Sequence, residues 1–525
     1  MTEDARPDDS GPTESDHGPT ESDHGPTESD HGPTDRGRPS DDRNAAAARA
    51  DGGLVDRGGV AREAGFADRV RTNPGPALRW LAVAAALTVV ELGALVGLLA
   101  AALPVDAGLA ALADALPTLL SRETIPNQGP RIPGEGWQGT FLGLSPAAAW
   151  GLRVALVYAY AATWFWWLYR GYRTYRREYR IADWTPRDDV LRRFSRHRWG
   201  QFGLVVVLAF VVMAMFAPAL GPTTMERNSF EPYSYTITTY DEDAGEVREV
   251  TVGDANLAST SQGTEDRNVG FGEYDDFGRF HPFGTLPSGQ DLFTFVAAGA
   301  RVSLFISLLA IGLSAVISAT LAVASAYYGG VVGLVVVLLS DATQALPQLL
   351  VVMLLSVVLS ETWLASLYSG GVLLALIFAL TGWPSLWRAV RGPALQVAER
   401  GWVDAADSIG LASSVTMRRH MLPYILGYLL VYVSMSLGGI IIGIAGLSFL
   451  GLGVTSPTPE WGRIVDIGQP YLATVSWHIA FVPGVLVVVV VTGFNALGDG
   501  IRDAIDPESE GGEGEATTAA SGAGG

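Results

Sequence analysis

Few polar residues within the apolar runs of this sequence have side chains and a spacing that could bind a solute or take part in a reaction. Asp341, Gln344 and Gln348 recur at i, i+3 and i+7 around Pro347, inside a long apolar run. A carboxylate in such a run is costly unless it faces protein or water, so these side chains could line a route for a polar solute. They could equally make hydrogen bonds between helices, and Pro347 predicts a kink in the run.

Other chemistries are excluded by residue types that the sequence lacks. It contains no cysteine and no lysine. A P-loop needs a lysine that reaches the β- and γ-phosphates, so the chain itself has no standard site for ATP, and energy must come from a partner. His281, His420 and His478 fall in loops or at the ends of apolar runs. They form no pattern that predicts a bound metal, a cofactor or a catalytic residue.

The elements that must hold these residues are membrane spans. Hydrophobic residues make up 48% of the chain, and they cluster into runs long enough to cross a bilayer. The sequence therefore predicts an all-α polytopic membrane protein with about eight transmembrane helices. These helices are expected at about residues 77–103, 147–168, 202–220, 295–326, 331–359, 372–389, 424–447 and 479–497.

Polar segments flank and divide the spans. The N-terminal tail repeats GPTESDH with no apolar position, which predicts disorder. An acidic loop at 221–290 contains strand-like alternation around an Asp/Gly turn, which predicts a β-hairpin. The predicted organisation is a disordered acidic tail at 1–70, two extra N-terminal spans within 77–168, a basic linker at 169–200, a helical core at 201–507 and a disordered tail at 508–525.

The distribution of arginine predicts the orientation in the membrane. Positively charged loops favour the cytoplasmic side. The arginine-rich end of the second span is therefore cytoplasmic, and counting onward places both termini in the cytoplasm and the loop 221–290 outside. This count puts six arginines of the later loops and span ends on the cytoplasmic side, namely Arg388, Arg391, Arg400, Arg418, Arg419 and Arg502. The sequence therefore predicts a multi-pass protein of the cell membrane, in contact with lipid.

The net charge of −19 comes from acidic tails and one loop. Such an acidic surface disfavours binding to nucleic acid. An acidic chain without lysine is typical of proteins that work in high salt, as in a halophilic archaeon. High-GC codon usage would produce the same composition.

Small residues recur at helical spacing in two predicted spans. Ser303, Ser307, Ser314 and Ser318 share one face of the fourth span, and Gly439 with Gly443 forms a G-x-x-x-G pair in the seventh. Small residues at this spacing allow helices to approach closely. The two sets predict packing surfaces within the protein or toward a second subunit.

The cytoplasmic loop at 390–423 has the pattern of a folded helix–turn–helix. Trp402, Ala405, Ala406 and Ile409 fall at i, i+3, i+4 and i+7, which predicts one apolar face. Gly410 can end the first helix with a positive φ, and Ser413 or Ser414 can cap a second helix that runs into Leu422 and Pro423. The face predicts docking into a groove of a soluble protein, or alternatively contact with the membrane interface.

At this point the residues resemble a known family. DAADSIGLASSVTMRRHMLP is similar to the EAA loop of ABC importer permeases, with Asp404, Ala405 and Ala406 in place of Glu-Ala-Ala. MFAPALGP, HPFGTLPSGQDLFTFVAAGARVSL, LSFLGLGVTSPTPEWG and FNALGDGIRDAIDP resemble successive signatures of the dipeptide, oligopeptide and nickel branch, in its second-permease (C-type) form. Leu286 and Gln290 stand where the branch usually shows Asp and Arg. The resemblance covers about residues 192–507.

The resemblance implies a function and a set of partners. It implies that the last six spans form a type I permease core that moves a di- or oligopeptide by ATP-driven alternating access. It also implies a second permease, two ATPase subunits that use ATP and Mg²⁺, and an external substrate-binding protein. Residues Asp404 to Gly410 would form the helix that couples the permease to the ATPase, with Leu422 and Pro423 closing the loop. Two alternatives remain: an importer of nickel or sugars, and a membrane scaffold that binds a soluble partner.

Overall fold

The computed structural model describes residues 65–505 with gaps at 95, 97–115, 117, 183 and 243. The predicted tail at 508–525, and nearly all of the tail at 1–70, lie outside the described residues. From Arg69 onward these residues belong to one compact unit. Numbered in chain order, the α-helices of the described residues are α1 (Phe66–Thr72), α2 (Pro74–Val90), α3 (Pro146–Thr174), α4 (Pro186–Phe194), α5 (Arg198–Met215), α6 (Ala217–Leu220), α7 (Val252–Ala258), α8 (Leu292–Tyr328), α9 (Gly330–Ala345), α10 (Gln348–Val358), α11 (Trp363–Ser366), α12 (Gly371–Ala398), α13 (Gly401–Ser408), α14 (Ser413–Thr416), α15 (Leu422–Phe449), α16 (Trp461–Gly468) and α17 (His478–Ile505).

The predicted helical membrane architecture is confirmed. Five helical stretches of the described residues are long and apolar enough to cross a membrane: α5, α8, Trp363–Ala398, Ser413–Phe449 and α17. Helices α9 and α10 pass the same test only as a pair bent by 85°. The described residues therefore hold five candidate spans, or six if the bent pair counts as one.

The predicted number of eight spans is not confirmed, and the difference lies in the two N-terminal helices. Helix α2 has only 17 residues, and the far end of the predicted first span, residues 97–103, falls outside the described part of the chain. Helix α3 has 29 residues, but Arg153 and a second half rich in tryptophan, tyrosine and arginine make it less apolar than the core helices.

The strands form three two-stranded antiparallel sheets in the described residues. Strand β3 (Thr236–Asp241) pairs along its whole length with β4 (Glu246–Thr251), at the place where the sequence predicts a hairpin. Gly245, with φ 68°, donates its backbone N–H to Asp241 O at 2.9 Å and closes the turn. The other two sheets have strands of two residues each: Arg131–Ile132 with Gly136–Trp137, and Glu273–Tyr274 with Phe280–His281.

The core is arranged around helix α8. Asp291 caps its start by accepting a hydrogen bond from Thr294 N at 2.7 Å. One side of α8 packs along α12, and α5 and α15 also contact α8. Helix α17 packs on α5 and α15 and completes the largest buried cluster of the described residues, which contains Phe295, Trp461 and Phe494. Glycines allow the closest approach: a Cβ added at Gly203 of α5 would lie 2.3 Å from Leu497 N of α17.

A buried arginine attaches the N-terminal helices to this core. Arg153 of α3 is fully buried. Its guanidinium donates to the carbonyl oxygens of Ile125, Ala219 and Gly221 at 2.8–2.9 Å and to Asn127 Oδ1 at 2.9 Å. Because a buried charge needs many hydrogen bonds, this contact fixes α3 at the end of α5 and α6.

Candidate functional site

The predicted coupling loop begins with the short helix α13. Its end is a Schellman motif: Leu411 N donates to Ala406 O at 3.1 Å, and Gly410 N donates to Asp407 O at 3.0 Å. Gly410 has φ 75°, a conformation that glycine adopts without the strain of a side chain. The turn predicted at Gly410 is therefore present. Gly410 ends the helix because glycine can adopt a positive φ.

The buried face of α13 differs from the predicted one. Val403 and Ala406 are 3% and 4% exposed. Val403 packs into a cluster that also contains Trp387, Met421 and Ile425. Of the predicted apolar face of Trp402, Ala405, Ala406 and Ile409, only Ala406 is buried, and it shares that position with Val403, the other buried residue of this eight-residue helix.

The remaining apolar side chains point outward. Trp402 is 39% exposed, Ile409 is 77% exposed, and Ala405 is exposed between them. These three residues, at i, i+3 and i+7, are called the ridge below. Three apolar side chains exposed side by side, unlike a single scattered one, form a small apolar surface that another molecule can cover. The ridge therefore has the form of a docking surface.

Side chains connect α13 to two membrane helices. Trp402 stacks on Tyr424 of α15 with ring centroids 5.3 Å apart, and the Arg400 guanidinium lies 5.5 Å from the Trp402 ring. The Tyr327 hydroxyl, at the end of α8, donates to Asp407 Oδ1 at 2.8 Å. A force applied to α13 would consequently reach both α8 and α15.

The second half of the loop departs from one prediction. Neither Ser413 nor Ser414 caps the second helix, because Ala412 occupies the cap position of α14 and no side chain bonds there. Helix α14 continues through Met417–Met421 into α15, which starts at Leu422 with Pro423 in its first turn. Proline fits this position because a first-turn N–H has no partner within the helix. Asp404 is exposed at the other end of the loop.

The three polar residues around Pro347 do not share one helix face. Asp341 and Gln344 lie on α9, and Gln348 starts α10 beyond the 85° bend. Proline removes a backbone donor and favours an extended conformation in the residue before it, here Leu346 with ψ 139°. The kink predicted from Pro347 is therefore present.

Two of these residues reach helix α12. The Arg388 guanidinium donates to Asp341 Oδ1 at 2.5 Å, and Gln348 Nε2 donates to Thr381 Oγ1 at 3.3 Å. Gln344 Nε2 instead donates to Ser340 Oγ in its own helix, at 3.1 Å. Asp341, Gln344 and Gln348 are all exposed in the isolated chain, so they are available to a solute or to a second subunit.

The predicted serine face lies at the centre of the core. Ser303, Ser307, Ser314 and Ser318 are each at most 1% exposed. Ser318 Oγ lies 2.8 Å from Trp383 O of α12, and Ser314 Oγ lies 3.4 Å from Ala379 O. These contacts are interhelical packing and leave no open route along this face.

The two predicted glycines do not form one packing surface in this chain. A Cβ added at Gly443 would lie 2.9 Å from the Phe378 ring, whereas Gly439 is exposed and has open space around it. The neighbouring Gly438, which the spacing did not indicate, is the glycine that faces Val491 of α17.

The sequence did not reveal a buried charged network in the loop 221–290. His281 Nδ1 lies 2.9 Å from Asp291 Oδ2, and His281 Nε2 lies 3.3 Å from Asp275 Oδ2. Asp275 Oδ2 also accepts from Arg279 Nε at 2.6 Å, and Arg279 Nη1 donates to Asn256 Oδ1 at 2.7 Å. Since Asp291 caps α8, this network attaches the loop to the central membrane helix.

The network shifts the pKa of two of its members. Burial alone would lower the pKa of His281, but hydrogen bonds to Asp275 and Asp291 raise it above its ordinary value. Burial alone would raise the pKa of Asp275, but the hydrogen bond to His281 and the charge of Arg279 hold it well below its usual range. In the sequence, the network is indicated only by the closeness of its four members, Asp275, Arg279, His281 and Asp291. Closeness in sequence does not show that their side chains contact one another.

Comparison with known families defines the class of this protein. Residues 293–510 match the family described as binding-protein-dependent transport system inner membrane component. Residues 185–241 match the N-terminal transmembrane domain of oligopeptide transport permease C. Together with the apolar helices, these matches support a multi-pass membrane protein in which residues 293–510 are similar to the inner membrane component of binding-protein-dependent transport systems.

Individual relatives narrow the class. The oligopeptide transport system permease protein OppC of Bacillus subtilis is 29% identical over 320 residues, which are 61% of this chain and 89% of that protein. The dipeptide transport system permease protein DppC of Bacillus subtilis is 28% identical over 321 residues, 61% and 85% of the two chains. The glutathione transport system permease protein GsiD of Escherichia coli is 29% identical over 327 residues, 62% and 92%.

Proposed function

We propose that this chain is the permease subunit of a binding-protein-dependent ABC importer that moves di- or oligopeptides or a similar small solute. The exposed ridge of α13 is the observation that carries the proposal, because it lies inside the matched permease domain and has the form of a docking surface. The named substrates of the relatives, which are oligopeptides, dipeptides and glutathione, support a peptide substrate.

The proposed complex contains four kinds of subunit. This chain pairs with a second permease, two ATPase subunits bind and hydrolyse ATP with Mg²⁺, and an external binding protein delivers the solute. Both termini of this chain lie in the cytoplasm, and the loop 221–290 lies outside. Neither ATP nor a metal is bound by this chain itself.

The contacts of α13 suggest how ATP hydrolysis is coupled to movement. The ridge seats in a cleft of an ATPase subunit, and Asp404 and Gly410 mark the ends of the lever. Closure of the two ATPases displaces α13. Because Trp402 stacks on Tyr424 and Asp407 accepts from Tyr327, the displacement passes to α15 and α8. Alternating access follows if these helices move relative to one another.

The polar residues at the bend are the proposed contact with the solute. Asp341 and Gln348 lie on opposite sides of the break at Pro347, so a change in the bend would alter their separation. Irregular backbone at membrane depth is tolerated where it lines a cavity or is covered by protein. The exposed side of α9 and α10 is therefore assigned to the interface with the second permease, where the polar residues at the bend would contact the solute.

Uptake by the reconstituted complex tests this function. The variant Ile409→Asp places a charge on the ridge, and Ser414→Asp places the same charge on an exposed position of the same loop. We expect Ile409→Asp to reduce ATP-dependent peptide uptake at least about tenfold, since a desolvated charge in an interface costs well over 1.4 kcal/mol. Ser414→Asp should remain near the native rate.

Other outcomes would discriminate among the alternatives. Equal uptake by both variants would refute the docking role of the ridge. Copurification of a soluble partner without uptake of any peptide, sugar or nickel ion would favour a scaffold. Uptake of nickel or sugar in place of peptide would retain the permease and change the substrate.

A further inference from the structure

A crevice separates the N-terminal helices from the first helix of the core. It lies between α2, α3 and α5, has a volume of about 410 Å³ and is partly open to the surroundings. Its walls are apolar and aromatic apart from a threonine, a tyrosine hydroxyl and one carboxyl group. The walls are formed mainly by Tyr160, Ala161, Trp164, Phe165, Met215 and Phe216.

The carboxyl group belongs to Glu91, which follows the last residue of α2. Its side chain is only 5% exposed. Oε1 accepts a hydrogen bond from Leu120 N at 2.8 Å. Oε2 is buried and has no hydrogen-bond partner among the residues that the structure describes. A buried acceptor without a partner is unfavourable, so a donor from outside the chain would stabilise this position.

The apolar part of the crevice extends over most of the hydrocarbon thickness of one leaflet. Tyr160, Trp164 and Leu168 line it along α3 at i, i+4 and i+8. Eight residues of helix rise about 12 Å. One leaflet contributes about 15 Å of hydrocarbon. A single chain from one leaflet can therefore lie along these residues.

The polar and apolar parts are arranged as in an amphiphile. Glu91 lies at the end of α2 and bonds to Leu120. A few residues after Leu120, Ile125 bonds to Arg153, which lies at the end of α5 and α6. Trp164 and Leu168 lie farther along α3 toward its arginine-rich end. The carboxyl group is thus at one end of the crevice, where the head of a lipid would be.

We propose that this crevice is a binding site for a membrane lipid. One chain lies against Tyr160, Trp164 and Leu168, and a hydroxyl group near the head donates a hydrogen bond to Glu91 Oε2. Lipids with a negative charge beside that hydroxyl are disfavoured by repulsion from the carboxylate. The proposal depends on the membrane location alone and not on what the protein transports, and it would make the two N-terminal helices a lipid-bound attachment of the core.

Photolabelling in lipid nanodiscs tests the site. The full chain is exposed to a diacylglycerol with a diazirine in one chain, or to its methyl ether, which lacks the donor hydroxyl. We expect the hydroxyl probe to label the peptide around Trp164–Leu168 about fivefold more than the ether, the effect of one hydrogen bond of about 1 kcal/mol. In Glu91→Gln, which can keep the bond to Leu120, this preference should disappear.

A matched pair of variants tests the position of the chain. Ala161→Phe fills the crevice, whereas Ala162→Phe places the same ring on the exposed side of α3. Labelling should fall several-fold only in Ala161→Phe. If that variant does not fold, Ala94→Phe on the opposite wall replaces it. Equal labelling by both probes, or equal labelling of the paired variants, would mean bulk lipid only and would overturn the proposal.

Discussion

Helix α13 turns apolar side chains outward, whereas the loop segment around His281 turns charged side chains inward. Trp402, Ala405 and Ile409 are exposed and α13 is held by two buried residues. Asp275, Arg279, His281 and Asp291 are all less than 10% exposed and bonded to one another. The first arrangement suits a surface that another molecule covers, and the second suits a segment that keeps its shape on its own.

The difference also concerns how each region contacts helix α8. Asp291 caps its first turn, where His281 bonds to the same carboxylate. Tyr327 near its last turn makes one exposed hydrogen bond to Asp407. Removing one partner from a buried ionic contact destabilises a protein far more than removing one from an exposed contact. We therefore expect the His281 end of α8 to be fixed and the Tyr327 end to be the one that moves.

The largest expected effect comes from breaking the buried network. His281→Leu leaves the carboxylates of Asp275 and Asp291 without their shared donor. Removing one partner from a buried charged group typically costs about 3–5 kcal/mol. We expect the segment 270–291 to become susceptible to limited proteolysis in the folded membrane protein.

The matched control for that variant is an exposed ion pair. Arg248 and Asp241 lie 3.3 Å apart on the hairpin, with 58% and 24% of their side chains exposed. Arg248→Leu should cost less than about 1 kcal/mol and leave proteolysis unchanged. Equal sensitivity of His281→Leu and Arg248→Leu to proteolysis would contradict the distinction between a fixed and a mobile end of α8.

The pH dependence of the same segment gives the next effect. Because the folded state raises the pKa of His281, the stabilisation is present below the ordinary value of 6.5 and is lost as pH rises through the raised value. Because the pKa of Asp275 is lowered, its contribution is lost as pH falls below 3.8. Protection of 273–291 against hydrogen exchange, after correction for the intrinsic pH dependence of exchange, should therefore be greatest between these limits, with 401–411 as the internal comparison. A flat profile would contradict this account.

A smaller effect is expected at the turn after α13. Gly410 has a positive φ and open space around its Cα, so Gly410→Ala introduces backbone strain of about 1 kcal/mol and no clash. Gly401→Ala, also in open space, lacks that strain and is the control. Thermal unfolding of the purified complex should show a lower midpoint for Gly410→Ala alone. Equal midpoints would mean that the turn is not fixed.

The smallest effect on stability is expected from the contact that connects α8 to α13. Tyr327→Phe removes one exposed hydrogen bond and should change the unfolding free energy by less than about 1 kcal/mol. It should nevertheless raise the ratio of ATP hydrolysed to solute imported, because α13 loses one of its two connections. Tyr328→Phe is the neighbouring control. An unchanged ratio in Tyr327→Phe would assign the coupling to Trp402 and Tyr424 instead.

The sequence was sufficient for features that depend on local pattern. Apolar runs located the core helices, Pro347 located the bend and Gly410 located the turn. The buried face of α13 was not predictable, because in an eight-residue helix the pairs Trp402–Ala405 and Val403–Ala406 satisfy the same spacing. The eight predicted spans are not confirmed for the two N-terminal helices, and hydropathy does not show that Arg153 of α3 is buried by carbonyl oxygens. The network around His281 depends on how the loop folds back onto α8, which no spacing reveals.

Cross-linking from the ridge is the most direct test of the central claim, that α13 docks on an ATP-hydrolysing subunit. A photoreactive amino acid is placed at Ile409 on the ridge, or at Ser414 off the ridge, and the complex is irradiated in its native membrane. The account predicts a covalent product between position 409 and an ATPase subunit, with little or none from position 414. Products of equal yield from both positions, or none from position 409 in a complex that still imports solute, would contradict it.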